Sequence, residues 1–299
     1  MIEMTDTNES PCPETDDPPV PHTIGRYQVL RPIGWGDTAS VWLARDRHLD
    51  REVALKEVTA LRSIDRSKVQ RFLQEVRRAG SMSHPNIVAV YDHFEAVSTP
   101  CIAMEYMPHG SLRRYPGRLD MAQCVGVLEG VLGGLALAEV RGVVHGGLKP
   151  ENIMVTAEGR VKIADLGIAT ATHAVCTWAG TAPPRTAMTE ASPYSAPEQA
   201  GVHPVGPWTD LYSVGVIARE LLAGQTATHG LQAPAVDLDP ALSRWVDDLV
   251  ATDPHKRTSS AYVAWDSLEE IAIDLWGPRW RRGARITAAR EQPTRRCRR

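Results

Sequence analysis

Side chains that could take part in chemistry are concentrated in one stretch, residues 143–167. They are Lys149, Asn152 and Asp165, with His145 just before them. Two short apolar runs on either side of a polar turn at 157–160 predict a β-hairpin in this stretch. The hairpin would hold these polar side chains close together.

A glycine-rich turn nearer the N-terminus is a second candidate for phosphate contact. Gly34 and Gly36 lie between two predicted strands, where the missing side chains let the backbone approach a triphosphate. Lys56 lies in the third predicted strand, 52–58, and a lysine in an apolar strand costs free energy unless it is paired. A plain hairpin turn and an exposed edge-strand lysine are the structural alternatives for these two features.

Four strings together resemble the motif set of one enzyme family. HGGLKPEN at 145–152 and DLG at 165–167 resemble the HRDLKPEN and DFG motifs of the bacterial-type (Hanks-type) serine/threonine protein kinases. VALK at 53–56 and APE at 196–198 match the same family. Each string is only moderately specific, but their order and spacing make a chance match improbable.

The resemblance implies the fold and the ligands. The expected fold is α+β and bilobal, with a small antiparallel β-sheet and one helix in an N-lobe at 24–107 and a mostly helical C-lobe at 108–276. ATP and Mg²⁺ are the implied cofactors, and a protein, either a substrate or an active kinase, is the implied partner.

The resemblance also assigns roles to single residues. Lys149 would face the γ-phosphate, while Asn152 and Asp165 would hold Mg²⁺. Lys56 would pair with Glu75 of the N-lobe helix and with the α- and β-phosphates. The other implied nucleotide contacts are Gly34, Gly36, Val41, Ala54, Glu105, Met107 and Met154.

The sequence departs from the family at the catalytic centre itself. Gly146 and Gly147 replace the Arg-Asp pair that follows the histidine. The family's Asp accepts the proton of the substrate hydroxyl, and a glycine cannot do so. The threonine expected near the end of the activation segment falls on Ala191, with Ser192 beside it. We therefore expect a pseudokinase that regulates or scaffolds a partner; the alternatives are a weakly active serine/threonine kinase and a fold relic that binds no nucleotide.

Three further features concern the C-lobe. Under the resemblance, His145 packs inward, Glu198 pairs with Arg257, and Asp210 braces the backbone of the catalytic loop. The segment 224–253 is short, so the family's substrate-side helix is expected to be trimmed.

Composition adds limits rather than a function. The 299 residues are 43% hydrophobic and 23% charged, as in ordinary globular proteins, and the net charge of −3 gives no reason to expect nucleic acid or membrane binding. Five scattered cysteines without a CxxC pair predict neither a zinc site nor a disulfide framework, and they suit a cytoplasmic location.

The pattern along the chain predicts the remaining segments. Residues 1–23 are rich in proline and acidic residues and are expected to be disordered, and residues 277–299 form an Arg-rich tail that we expect to be solvated. The apolar window at 124–140 contains two glutamates and is expected to be a buried helix rather than a membrane span. Residues 168–194 are expected to form a long loop.

Overall fold

The computed structural model describes residues 22–36, 38–62, 64–115, 117, 119–178, 192–200, 205–223 and 238–286. The predictions for residues 1–21, Ala191, the segment 224–237 and the tail 287–299 lie outside these residues. Thr23, which was expected to be disordered, instead begins a short strand.

The N-lobe is one antiparallel sheet of six strands in the order β1-β2-β3-β4-β6-β5. The strands are β1 (Thr23–Ile24), β2 (Tyr27–Gly36), β3 (Ala39–Asp46), β4 (Arg51–Glu57), β5 (Val90–Ala96) and β6 (Thr99–Glu105). Alternate residues of β4 point to opposite faces. Val53 and Leu55 are fully buried in an outer layer with Tyr27, while Ala54 belongs to the cluster beneath the sheet that packs on the lobe's helix.

That helix is α1 (Arg66–Gly80). It begins at Asp65, whose carboxylate accepts a hydrogen bond from the amide of Ser67 and so satisfies one free N–H of the first turn. Its buried residues recur every three or four positions, which gives one apolar face against the sheet: Val69, Phe72, Leu73, Val76 and Ala79.

The C-lobe is mostly helical and is built around α2 (Met121–Val140). The helices α4 (Pro207–Ala223) and α6 (Ala261–Trp276) pack on α2, and α5 (Pro240–Leu249) packs on both of them. A two-stranded hairpin, β7 (Ile153–Val155) and β8 (Val161–Ile163), lies against α2. Together the two lobes confirm the predicted α+β bilobal fold.

By length and composition α2 could cross a membrane. However, 56% of its most apolar window is buried inside the protein. A capping box between Asp120 and Gln123 fixes its N-terminus. The helix is therefore a core element of the C-lobe, as the sequence predicts for the 124–140 window.

The structure differs from the sequence prediction in two segments. Residues 168–178 form a helix, α3 (Ile168–Trp178), and not a loop. Its buried positions Ile168, Ala171 and Val175 have helical spacing, but small residues and threonines between them obscured the pattern. Residues 277–286, expected to be solvated, pack on the C-lobe because Trp280 and Ile286 are buried in its core.

Candidate active site

The β7–β8 hairpin brings the predicted metal ligands together. Asn152 ends a 3₁₀ turn just before β7, and Asp165 follows β8. The amide of Ala164 donates to the carbonyl of Asn152 at 2.8 Å, which ties the two ends of the hairpin to each other. Asp165 itself adopts a left-handed backbone conformation, with φ of 61°, so the chain turns sharply after β8.

The loop before the hairpin is held by a buried carboxylate. Asp210 of α4 accepts hydrogen bonds from the amides of His145 at 2.7 Å and Gly146 at 2.8 Å, as predicted. Burial raises the pKa of Asp210, although the hydrogen bonds from the amides of Gly146 and His145 oppose the shift. The brace fixes the backbone at the position where the family carries its catalytic Arg-Asp pair.

His145 is fully buried and acts as part of this brace. Its Nε2 lies 3.0 Å from the carbonyl of Ala164, and its Nδ1 accepts from the amide of Gly147 at 3.3 Å. Because a carbonyl only accepts, these two bonds select the neutral tautomer with the proton on Nε2. A ring held in this way links the loop to the hairpin and does not face a substrate.

The described part of the loop offers no carboxylate in place of the missing aspartate. Glu151, the nearest acid in the sequence, is bound by Nε of Arg113 at 2.8 Å. Asp165 is bound by Lys56. The carbonyl of Gly147 accepts from Nδ2 of Asn152 at 2.9 Å, so the backbone at this position keeps its contact with the metal-binding residue without a side chain of its own.

The predicted pair between Lys56 and Glu75 is absent. Nζ of Lys56 instead lies 2.7 Å from Oδ2 of Asp165, with the two side chains 12% and 23% exposed. Burial opposes the charged form of Asp165, but the Lys56 ammonium outweighs it and lowers the pKa of the carboxyl. Glu75 is 57% exposed and lies 3.8 Å from Arg78, one turn further along α1. Helix α3 packs against α1 through an apolar cluster, and Glu75 lies outside that cluster on the exposed side of α1.

The residues predicted to contact the base come from the N-lobe sheet, from the segment after β6 and, for Met154, from β7 of the C-lobe. Ala54 and Met107 are buried in one cluster, and Val41 and Met154 pack against it. Gly34 pairs with Val41 across β2 and β3. This cluster gives an apolar surface of the kind that receives the flat face of a base.

The hinge position after β6 has only backbone groups available for polar contact with a base. Both carboxylate oxygens of Glu105 are bound by Nζ of Lys162, at 2.7 and 2.8 Å. One of them also accepts from the amide of Ala89 at 3.2 Å. Among the described residues, the amide of Met107 makes no hydrogen bond. The amide of Met107 is therefore available to a base, whereas the carboxylate of Glu105 is already occupied.

The donor set fits Mg²⁺ bound together with phosphates. Because Nδ2 of Asn152 is used by Gly147, its Oδ1 is left for a cation, and Oδ1 of Asp165 is left likewise. Within the described residues no cluster of three acidic, histidine or cysteine side chains could hold a metal alone. Mg²⁺ commonly uses only one or two protein oxygens and takes the rest from phosphates and water. The side chain of Lys149, three residues before Asn152, is exposed to solvent.

Two sets of contacts were not predicted from the sequence. Arg113 has three partners, because its guanidinium binds Glu220 at 2.7 Å and the hydroxyl of Tyr194 at 2.8 Å in addition to Glu151. Gln199, next to the APE motif, donates to the carbonyl of Gly146 at 2.8 Å. These partners of Arg113 and Gln199 are at least 38 residues away along the chain, so no local pattern in the sequence indicates these contacts.

The predicted pair at the end of the activation segment is present. Glu198 receives two hydrogen bonds from the guanidinium of Arg257, at 2.6 and 2.8 Å, and the two side chains are almost fully buried.

A cavity of about 380 Å³ lies elsewhere in the C-lobe, between α2 and Arg281, and none of the predicted site residues lines it.

Comparison with known proteins agrees with this geometry. Residues 27–275 match the protein kinase domain family. The chain is 33% identical over 257 residues to the serine/threonine-protein kinase PrkC of Bacillus subtilis, covering 79% of this chain and 39% of PrkC. It is 34% identical over 277 residues to the serine/threonine-protein kinase PknL of Mycobacterium tuberculosis, covering 86% of this chain and 68% of PknL.

A solved structure is also similar. The crystal structure of the PknI kinase domain of M. tuberculosis aligns with a TM-score of 0.66 and 25% identity, covering 84% of this chain and 97% of that domain. The chain thus has the length of a kinase domain, and it spans well under half of PrkC. From its motifs, its bilobal fold and these matches, the chain belongs to the protein kinase family and carries a serine/threonine kinase domain of the bacterial type.

Proposed function

We propose that this protein is a pseudokinase: a kinase domain that binds ATP with Mg²⁺ and regulates or scaffolds a partner protein without transferring phosphate. The observation that carries the proposal is Gly147, which occupies the position of the catalytic aspartate in a loop that Asp210 and His145 hold in place. The nucleotide-binding side is intact in composition, since Lys56, Asn152 and Asp165 are all present. The regulatory role, the partner and the cytoplasmic location are parts of this proposal.

Loss of the aspartate has a large expected effect on rate. A positioned general base contributes about 10²–10⁴-fold, which is roughly 3–5.5 kcal/mol of transition-state stabilisation. Phosphoryl transfer depends mainly on positioning and charge neutralisation, so slow transfer by the remaining groups is the second candidate function. That candidate is favoured by the retention of Lys149, Asn152 and Asp165.

A nucleotide-binding test comes first. Addition of Mg·ATP at about 100 times its dissociation constant should stabilise the native state by about 2.7 kcal/mol. For a chain of this size, that corresponds to a rise in Tm of about 4–5 °C. Asp165→Ala should reduce the rise, because it removes a metal ligand. A native protein whose Tm is unchanged by Mg·ATP would overturn the nucleotide-binding half of the proposal.

A transfer test decides between the two candidates. Radiolabelled phosphate from ATP is followed into the protein itself and into a generic protein substrate, for the native chain beside Asp165→Ala as the baseline. We expect native transfer no greater than this baseline. Transfer by the native chain that Asp165→Ala abolishes would show a weakly active kinase and reject the pseudokinase.

A further inference from the structure

We infer that the absence of side chains at Gly146 and Gly147 allows helix α3 to pack directly against the catalytic loop and to hold that loop in its present conformation. The surface formed by these two glycines is called the glycine seat below. The same two glycines also replace the catalytic side chains of the family. The inference concerns conformation and involves no nucleotide. It therefore stands or falls separately from the proposed pseudokinase function.

The close approach of α3 to both glycines is the first observation. A Cβ built on Gly146 would lie 2.5 Å from Cγ2 of Thr170. A Cβ built on Gly147 would lie 3.1 Å from Cβ of Ala169. The first contact cannot exist between real atoms, and the second is tighter than ordinary packing. An arginine and an aspartate at these positions would require the Thr170 side chain to turn away and α3 to shift by a few tenths of an ångström.

A hydroxyl of the helix also fastens it next to the loop. Oγ1 of Thr170 donates to the carbonyl of Gly167 at 2.9 Å and lies 3.4 Å from the carbonyl of Val144, two residues before the glycine pair. Thr170 thus contributes both a hydrogen bond and the methyl group that faces Gly146. The helix is fitted to a loop without side chains at these two positions.

The opposite face of α3 is held by the N-lobe helix. Ile168, Ala171 and Val175 are buried in the same apolar cluster as Phe72 and Leu73 of α1. Burial of this kind contributes roughly 25 cal/mol for each Å² of apolar surface removed from water. One face of α3 is therefore fixed by apolar packing and the other by the glycine seat, which makes the helix a wedge between α1 and the catalytic loop.

The wedge accounts for the altered ion pairs of the cleft. With α3 in place, Glu75 remains on the exposed side of α1, and Lys56 takes Asp165 as its partner at 2.7 Å. Asp165 and Gly167, both with positive φ, form the sharp turn that leads directly into α3. A helix that leaves its seat would release this turn and free Lys56 to change partner.

The test is hydrogen exchange of the full chain, read by mass spectrometry in peptides covering 168–175. Gly146→Ala should increase exchange there by about tenfold or more, which corresponds to about 1.4 kcal/mol. Alanine also carries backbone strain at Gly146, where φ is 70°. Gly277→Ala is the matched control, since φ there is 77° and nothing lies within 4 Å of the added Cβ. This control should leave exchange at 168–175 unchanged.

A second substitution isolates the contact itself. Thr170→Ser deletes only the Cγ2 methyl group and keeps the hydroxyl that bonds Gly167. In the double variant with Gly146→Ala, we expect slow exchange at 168–175 to return, although the strain at position 146 persists. Failure of Thr170→Ser to restore slow exchange, or equal exchange in the Gly146→Ala variant and the control, would overturn the inference.

A second pair of variants covers the case in which Gly146→Ala fails to fold. Gly147 does not have a positive φ, so Gly147→Ala adds the contact with Ala169 without that strain. Exchange at 168–175 should rise in Gly147→Ala, and this rise should disappear when the substitution is made in an Ala169→Gly background, whose own effect on α3 is measured first. An unchanged rate in Gly147→Ala would contradict the seat at this position.

Discussion

The buried pair between Glu198 and Arg257 gives the sharpest prediction about stability. The two side chains are 2% and 0% exposed, and their shortest N–O distance is 2.6 Å. Arg257→Met removes the cation and leaves the Glu198 carboxylate buried without its partner. Breaking a buried pair in this way costs about 3–5 kcal/mol. Nε of Arg257 also donates to the carbonyl of Ala251 at 2.7 Å, so the loss should fall in the upper part of that range.

The chain provides a matched control. Arg45 and Asp50 are joined by a bond of the same length, 2.6 Å, but their side chains are 50% and 79% exposed. Arg45→Met makes the same chemical change and should cost no more than about 1 kcal/mol. Urea unfolding followed by circular dichroism measures both variants, with the m-value checked for constancy. The reasoning is refuted if the two variants differ by less than about 1 kcal/mol.

Three further predictions concern pH, the core and the cleft. Burial opposes ionisation of Glu198, but Arg257 outweighs burial and holds the pKa of this carboxyl below 4.5. The ionised carboxylate therefore stabilises the fold above that pH, and this stabilisation is lost as the pH falls through the folded pKa. The free energy of unfolding of Glu198→Gln, measured in urea, should depend less on pH below about 4.5 than that of the native chain. Leu128→Ala, at a fully buried position of α2, should lower the free energy of unfolding by about 2–5 kcal/mol, and a small loss would contradict the assignment of α2 to the core. Lys149→Ala, at an exposed position, should change the free energy of unfolding by less than about 0.5 kcal/mol. Lys56→Met should abolish the rise in Tm that Mg·ATP causes in the native chain. A full rise in Lys56→Met would show that Lys56 is not part of the nucleotide site.

Much of the fold could be predicted from local patterns. The apolar spacing of α1 and the turn signals around the β7–β8 hairpin depend on short stretches of chain. The pairing of Glu198 with Arg257 spans 59 residues, and it could be predicted only because the motifs resembled a known family. Patterns and resemblance together therefore predicted the bilobal fold and this buried pair.

The partner of Lys56 could not be predicted in this way. Glu75 of α1 and Asp165 after β8 are both acidic, and the folded chain places Asp165 within 2.7 Å of Lys56. Helix α3, which packs against α1, contains small residues and threonines and carries only a weak apolar pattern, so this packing was not predicted. Which of two acidic residues pairs with one lysine depends on the tertiary packing around them. The order of residues along the chain does not give that packing.

The two proposals together change what reversal of Gly147 should achieve. An aspartate at this position would restore a carboxylate, but its Cβ would also press against Ala169 at 3.1 Å. Gly147→Asp therefore adds a base and loosens the helix at once, and any activity gained reports on both changes. Adding Ala169→Gly relieves the contact and leaves the carboxylate. Equal phosphate transfer by the single and double variants would mean that the missing base alone limits the site, while greater transfer by the single variant than by the double variant would mean that the seated helix α3 limits it as well.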